Sequence, residues 1–304
     1  MTVNSQWPDL PYAAWSETCE TLQLWAQIAG KVVLAQTPLV NHWWNVTFHV
    51  TARGMAKRAI PYRGRAFDIV FDFIDHRLAI ETDDGRRESL ALKPMAVTDF
   101  YAAFMECLRR LDIGVHIRTT PCEIENCIVF DKDRTHTQYN PEYVARFHQA
   151  LLQSARVMNA FRARFIGKVS PVHFFWGSFD LAVTRFSGRT APPPKGHTPN
   201  VADWVMAEAY SQECSSCGFW PGNGGFGRAA YYVYAYPEPK DYGDTRLSMA
   251  EGAYNKDVGQ FILPYDAVRE ARDPDSLLLG FLQETYAAAA DLAKWDRAAL
   301  ERRP

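Results

Sequence analysis

No uninterrupted apolar run in this sequence approaches the roughly 20 residues that a membrane-spanning helix needs. The stretch Met1 to Pro11 lacks the charged start and apolar segment of a secretory signal. These absences predict a soluble, cytoplasmic protein with no membrane partner. Cysteine is sparse. Cys19, Cys107, Cys122, Cys127, Cys214 and Cys217 are scattered over 304 residues, too few for a disulfide framework, and in the cytosol they should stay reduced. Charge of one sign is also lacking, since the formal net charge is −2. The one dense basic stretch, with Arg156, Arg162, Arg164 and Lys168, falls on a predicted helix and reads as a solvated face. Nucleic-acid binding requires a concentrated cationic surface, so it is not expected.

Several catalytic signatures are missing as well. There is no G-x-S-x-G elbow, no H-E-x-x-H and no Walker-type Gly-Lys-Ser/Thr. Gly222 to Gly227 matches G-x-G-x-x-G, yet the segment after it, Ala229 to Tyr236, reads as a strand. A dinucleotide site requires a helix there, so a flexible loop is the better reading. Cys214-x-x-Cys217 has no second pair to complete a zinc ribbon and reads as incidental thiols. No cofactor and no metal are therefore expected. Asp75-His76 reads as turn chemistry, and His136 as part of a helix entrance.

What is present fits a folded domain: 47% hydrophobic and 22% charged residues, with aromatics at 13%. Such aromatic content serves both a core and the walls of a ligand pocket. Ser16 is placed to cap a helix carrying Leu22, Trp25, Ala29 and Val33, which Thr37-Pro38 ends. Alternation predicts strands over Trp43 to Thr51, Phe67 to Ile74, Leu78 to Thr82 and Ser89 to Leu92, the last two joined by an Asp84-Gly85 turn. A helix follows from Thr98, then a strand over His116 to Ile124. Asn140-Pro141 is a strong helix start for a long amphipathic segment through Phe165. Val172 to Phe186 reads as one long strand with a bulge at Gly177-Ser178, and Ser187 to Asn200 as a loop. Strands at Tyr231 to Tyr236 and Gln260 to Pro264 precede a last helix from Asp273-Pro274.

Two halves repeat the same order of landmarks. Gly30-Lys31, Thr37-Pro38, His42-Trp43-Trp44 and a strand ending Val50-Thr51 correspond to Gly167-Lys168, Ser170-Pro171, His173-Phe174-Phe175-Trp176 and a strand ending Val183-Thr184. The expectation is an α+β fold of two similar modules, antiparallel strands flanked by helices, related by internal duplication. The modules would span residues 1–135 and 136–304 and pack as one unit.

The stretch His173 to Asp180 sets ionisable groups among aromatics. Buried polar groups without partners cost roughly 1–3 kcal/mol each, so these are paired or functional. The functional expectation is acid–base chemistry by His173 and Asp180, with His42 from the other module. Trp44, Trp176 and Trp220 would form an apolar wall, and Arg185 would hold an anionic group. Strict alternation sets His173 and Asp180 on opposite faces, and the predicted bulge brings them onto one.

The stretches Val40 to Trp44, Phe71 to Leu78, Ser170 to Gly188, Gly218 to Gly222 and Leu263 to Tyr265 resemble an uncharacterised bacterial family known only as a domain of unknown function. The resemblance covers nearly the whole chain and implies a bacterial protein of this length, with no activity or cofactor attached. Gln212 stands where the family often has His, and the family generally lacks Cys at positions 214 and 217. The leading reading is a small-molecule enzyme with an aromatic-lined pocket between two modules. A non-catalytic ligand-binding or sensor protein, and a structural or interaction protein with no pocket, are the alternatives. Oligomeric state is not legible.

Overall fold

The computed structural model describes residues 6–302. The first half runs α1 (Ser16–Gln36), β1 (His49–Thr51), β2 (Gly54–Tyr62), β3 (Arg65–Asp72), β4 (Arg77–Thr82), β5 (Arg87–Ala91) and α2 (Val97–Arg110). The second runs α3 (Pro141–Ala163), β6 (His173–Phe175), β7 (Asp180–Thr190), α4 (Asp203–Ala209), β8 (Gln212–Trp220), β9 (Ala230–Tyr236), β10 (Ala253–Asn255), β11 (Gln260–Pro264), α5 (Tyr265–Glu270), α6 (Pro274–Leu292) and α7 (Arg297–Leu300). The fold is α+β with two similar modules.

Each module holds one antiparallel sheet, ordered β1-β2-β3-β4-β5 and β10-β11-β9-β8-β7-β6. The sheets meet edge to edge. Phe48 and Phe174 exchange backbone hydrogen bonds in both directions, at 3.0 and 2.7 Å, just outside β1 and inside β6. Outward from that junction both sheets are meanders, β1 to β5 on one side and β6, β7, β8, β9, β11 on the other, with β10 added at the second edge. Counting from the same junction, His173 corresponds in position to Thr47. His42, its expected counterpart, lies five residues earlier in the 3-10 turn Asn41–Val46; that turn also takes up the start of the strand that alternation predicts from Trp43.

Local signals explain many elements. Asn140 caps α3, its side chain accepting from the amides of Glu142 (3.0 Å) and Tyr143 (3.4 Å), ahead of Pro141 at the first helical position. Phe67, Ile69 and Phe71 of β3 alternate inward against the core. Ser16 does not cap α1; it is the first helical residue, and Trp15 stands at the cap position without a side-chain bond. Helix α1 is buried on nearly every side, as befits a central helix, and Trp25 stacks on Phe100 at 4.6 Å.

Two further expectations are corrected. Residues 116–124 are not a strand, because their backbone is bonded elsewhere. The amide and carbonyl of Cys122 pair with the Gln27 side chain at 2.8 and 2.9 Å, and Glu123 donates its amide to Pro199 at 2.8 Å. The long strand over 172–186 is two strands, β6 and β7, folded at a tight hairpin through Trp176–Phe179 rather than bent at a bulge. β2 and β8 carry no clear alternation in the sequence. A register shift between Lys57 and Ile60, with Ala59 in the left-handed region (φ 51°), breaks the alternation of β2. The Ser-Cys-Gly composition of β8 hides its pattern.

Candidate functional site

The β6–β7 hairpin pairs Phe175 with Asp180 and His173 with Ala182. Directly paired residues share a face, and so do residues two apart, so His173 and Asp180 do point to one side of the sheet. Along β7, β8 and β9 the same alternation turns Leu181, Val183, Cys217, Phe219, Tyr231 and Val233 into the core. The opposite face turns Asp180, Thr184, Ser216, Tyr232 and Tyr234 toward a cavity of about 810 Å³. That volume lies within the usual range for small-molecule sites. Helix α1, the turn bearing His42 and Trp43, residues 123–128, the segment around α4 and the loop Asn223–Gly225 complete its walls.

The hairpin tip is pinned from α1. Gln23 donates to the carbonyl of Gly177 at 2.6 Å, and the Asn223 side chain donates to Gln23 (3.1 Å) and to the Ser178 carbonyl (3.0 Å). The indole of Trp176 donates to the Val46 carbonyl at 3.1 Å and lies flat on Gly30, where a Cβ would come within 2.3 Å of the ring. A helix position that close to an indole admits glycine alone. The Gly-rich loop is thus a cavity wall. At Gly222 (φ 109°) a side chain would meet the Arg228 backbone at 2.6 Å.

Two carboxylates dominate the chemistry. Asp180 is buried, and its two oxygens accept from the hydroxyls of Ser178 and Tyr232. Burial raises its pKa and those hydroxyl donors oppose the rise. Glu123 stands in the left-handed region (φ 60°), its side chain exposed to solvent at the open cavity, with no side-chain hydrogen bond or ion pair among the described residues. The surrounding protein and the Asp180 charge push Glu123 up to about 7, a rise that solvent reaching its exposed side chain works against. Its Oε1 occupies the place of an absent side chain: a Cβ on Gly177 would lie 2.0 Å from it. Nothing periodic marks Glu123 in the sequence. Long-range bonds to Gln27 and Pro199 hold its segment, and those are visible only in the fold.

The other expected site residues separate into two groups. His42, Trp176 and Trp220 line the cavity with Asp180. His42 packs on Phe175 and Tyr210 at 5.1 and 5.9 Å, and burial holds it down to about 4. Trp220 donates to Asn223 at 2.7 Å. His173, Trp44 and Arg185 stand outside the wall. Thr47 gives its hydroxyl proton to the Trp44 carbonyl (2.9 Å), so His173 must donate Nδ1–H to Thr47 (3.0 Å). That leaves Nε2 as a buried acceptor without a partner. Burial depresses His173 to about 3. Trp44 sets its edge against His173 at 5.7 Å. Arg185 turns to the other face, 3.4 Å over the Phe161 ring and 4.2 Å over Tyr286, and burial lowers it to about 10.

Cys214 and Cys217 are three apart on one strand and so face opposite sides. Burial pushes both thiols up to about 12, far from the reactive range. His76 bonds Tyr139 at 2.9 Å and takes no part in the cavity, whereas His136 lies on its wall, paired with Asp133 at 2.7 Å. Among the described residues no three His, Cys, Asp or Glu side chains cluster to hold a metal ion, and no helix is long and apolar enough to cross a membrane.

A model of the family described as "Family of unknown function (DUF5996)" matches residues 7–302. The chain belongs to this family. No curated protein and no solved structure is significantly similar to this DUF5996 member.

Proposed function

We propose that this DUF5996 protein is a small-molecule enzyme that carries out proton transfers in the cavity, with Glu123 and Asp180 as the acid–base pair. The observation that carries the reading is their unequal treatment. Asp180 is held by two hydroxyl donors, while Glu123 faces the cavity with no partner among the described residues. Unequal environments separate two carboxyl groups into a proton donor and an acceptor. Glu123 exchanges its proton near neutral pH, so it can take one from the substrate and return it, with Asp180 as the second carboxyl of the pair. Hydrolysis, isomerisation and cyclisation all use that pairing. Neutral His42 is the third polar group of the site. His173 supports the wall behind Trp44 and Phe175. The two modules, 1–135 and 136–304, are read as a duplication in which the second sheet supplies the floor of the site.

The test combines a titration with a screen. Carbon-13 NMR of the labelled Glu123 carboxyl should show a midpoint near 7, and a metabolite screen should find a compound consumed by wild type and spared by Glu123→Gln and Asp180→Asn. An ordinary carboxyl midpoint, or consumption unchanged in both variants, would overturn the reading.

A further inference from the structure

The charge of the cavity is one-sided. Glu20, Glu123, Glu125, Asp133 and Asp180 line it, and among the described residues no lysine or arginine does. Of its two histidines, His42 is kept neutral at physiological pH by burial, and His136 is turned to Asp133. The nearest arginine of β7, Arg185, is committed to the far side of the sheet. Carboxylates alone make no site; the rings around them are an independent observation. Trp43 and Trp176 are stacked 6.5 Å apart, and Phe175, Tyr210, Trp220 and Tyr232 also contribute to the wall. Ring faces carry the negative lobe of their quadrupole. An anion entering here would lose its water and meet only like charge. A cation would meet carboxylates and ring faces together, in a place where the local dielectric strengthens both.

We propose that the cavity binds a small organic cation, an amine or a quaternary ammonium compound, as its ligand. The proposal rests on the reading of this cavity as a functional site and names its substrate class. Glu123 is the seat of the positive charge, because Asp180 already accepts from Ser178 and Tyr232; the incoming cation favours the ionised carboxylate, so Glu123 gives up its proton on binding. The apolar part of the ligand lies against Trp43, Phe175 and Trp220, the wall rings that are only half-buried. This reverses the expected anionic substrate, whose partner Arg185 is out of reach.

The test uses choline and its neutral isostere 3,3-dimethylbutan-1-ol, with 3,3-dimethylbutanoate as an anion of the same tert-butyl skeleton and benzyltrimethylammonium as a larger cation. Binding to the full chain is read by quenching of tryptophan fluorescence and by Tm. At least one cation should bind at millimolar concentration, about tenfold or more tighter than its neutral isostere, with no binding of the anion. Glu123→Gln should remove most of that preference, and Glu125→Gln far less. Equal affinity for cation and neutral isostere, binding of the anion, or no response to either cation would overturn the proposal. Cation failure with Glu123 still titrating near 7 would leave the acid–base reading standing. Cation binding with a turnover indifferent to Glu123→Gln would sink that reading and keep this one.

Discussion

The two sheets share a strand order from their junction outward, yet their faces away from the core have opposite fates. On the first sheet that face meets water. Asp68 and Glu81 sit directly opposite each other, and each draws an arginine, Arg58 at 2.7 Å and Arg87 at 3.2 Å. Like charges across a ladder are tolerated there because solvent and counter-charge screen them. On the second sheet the same kind of face is roofed by α1, α4 and the irregular segment 123–128. Asp180 cannot recruit solvent in the same way, so it is met by hydroxyls instead. One architecture thus makes a solvated surface in one module and a lined cavity in the other, and the difference lies in what covers the sheet.

The comparison is broken most forcefully at the roof. Trp176→Ala removes a buried indole and its bond to Val46, and should cost about 3–5 kcal/mol in urea unfolding. A loss under about 1 kcal/mol would mean that α1 and the second sheet are not held together there.

Acid comes next. Burial holds His173 down to about 3 and His42 to about 4 in the folded protein, against an ordinary 6.5. Their depressed values mean that the unfolded chain takes up protons the native state refuses. Stability is therefore complete above about 6.5 and falls as pH drops toward those values, by at most about 1.4 kcal/mol per pH unit for His173. His173→Gln should flatten the pH 7 to 5 difference in urea midpoint, and a variant as acid-sensitive as wild type would contradict the burial argument. Glu123 has the reverse sign. Its raised pKa contributes stability below about 4.5 that is lost as pH rises through 7, and Glu123→Gln should remove that slope.

Gly177→Ala sharpens the contrast with a smaller energetic effect. The new methyl meets the movable end of Glu123, so stability should change by less than about 1 kcal/mol. Cation binding and any turnover should nevertheless fall as they do in Glu123→Gln. A fully functional Gly177→Ala protein would show that the carboxylate position is immaterial. Smallest of all, Asp68→Asn or Glu81→Gln on the first sheet should shift stability by under about 1 kcal/mol, less at high salt, and leave the cavity untouched. Any effect on ligand binding would deny the separation of the two faces.

Much of the fold was legible because its causes are local. Asn140-Pro141 starts α3 through a cap and a preset φ, and the alternation of Phe67, Ile69 and Phe71 marks β3 wherever the strand packs. The aromatic-rich stretch around His173 and Asp180 also stood out, since ionisable groups among aromatics need an explanation. Its geometry is set beyond the local pattern. A bulge was expected to bring the two side chains to one face, and a hairpin does so instead.

The sequence by itself determined the α+β class, the main helices, the β3–β5 part of the first sheet and the polar cost carried by residues 173–180. These follow from periodicity, capping and burial within a dozen residues. Only the tertiary structure decided which polar groups share the cavity. Arg185 and Asp180 are five apart on one strand and part to opposite faces, while Glu123 joins Asp180 from 57 positions away. The physical reason is that Glu123 is placed by partners remote in sequence: Gln27 gripping the backbone of Cys122 from 95 residues off, and the Pro199 carbonyl receiving its own amide.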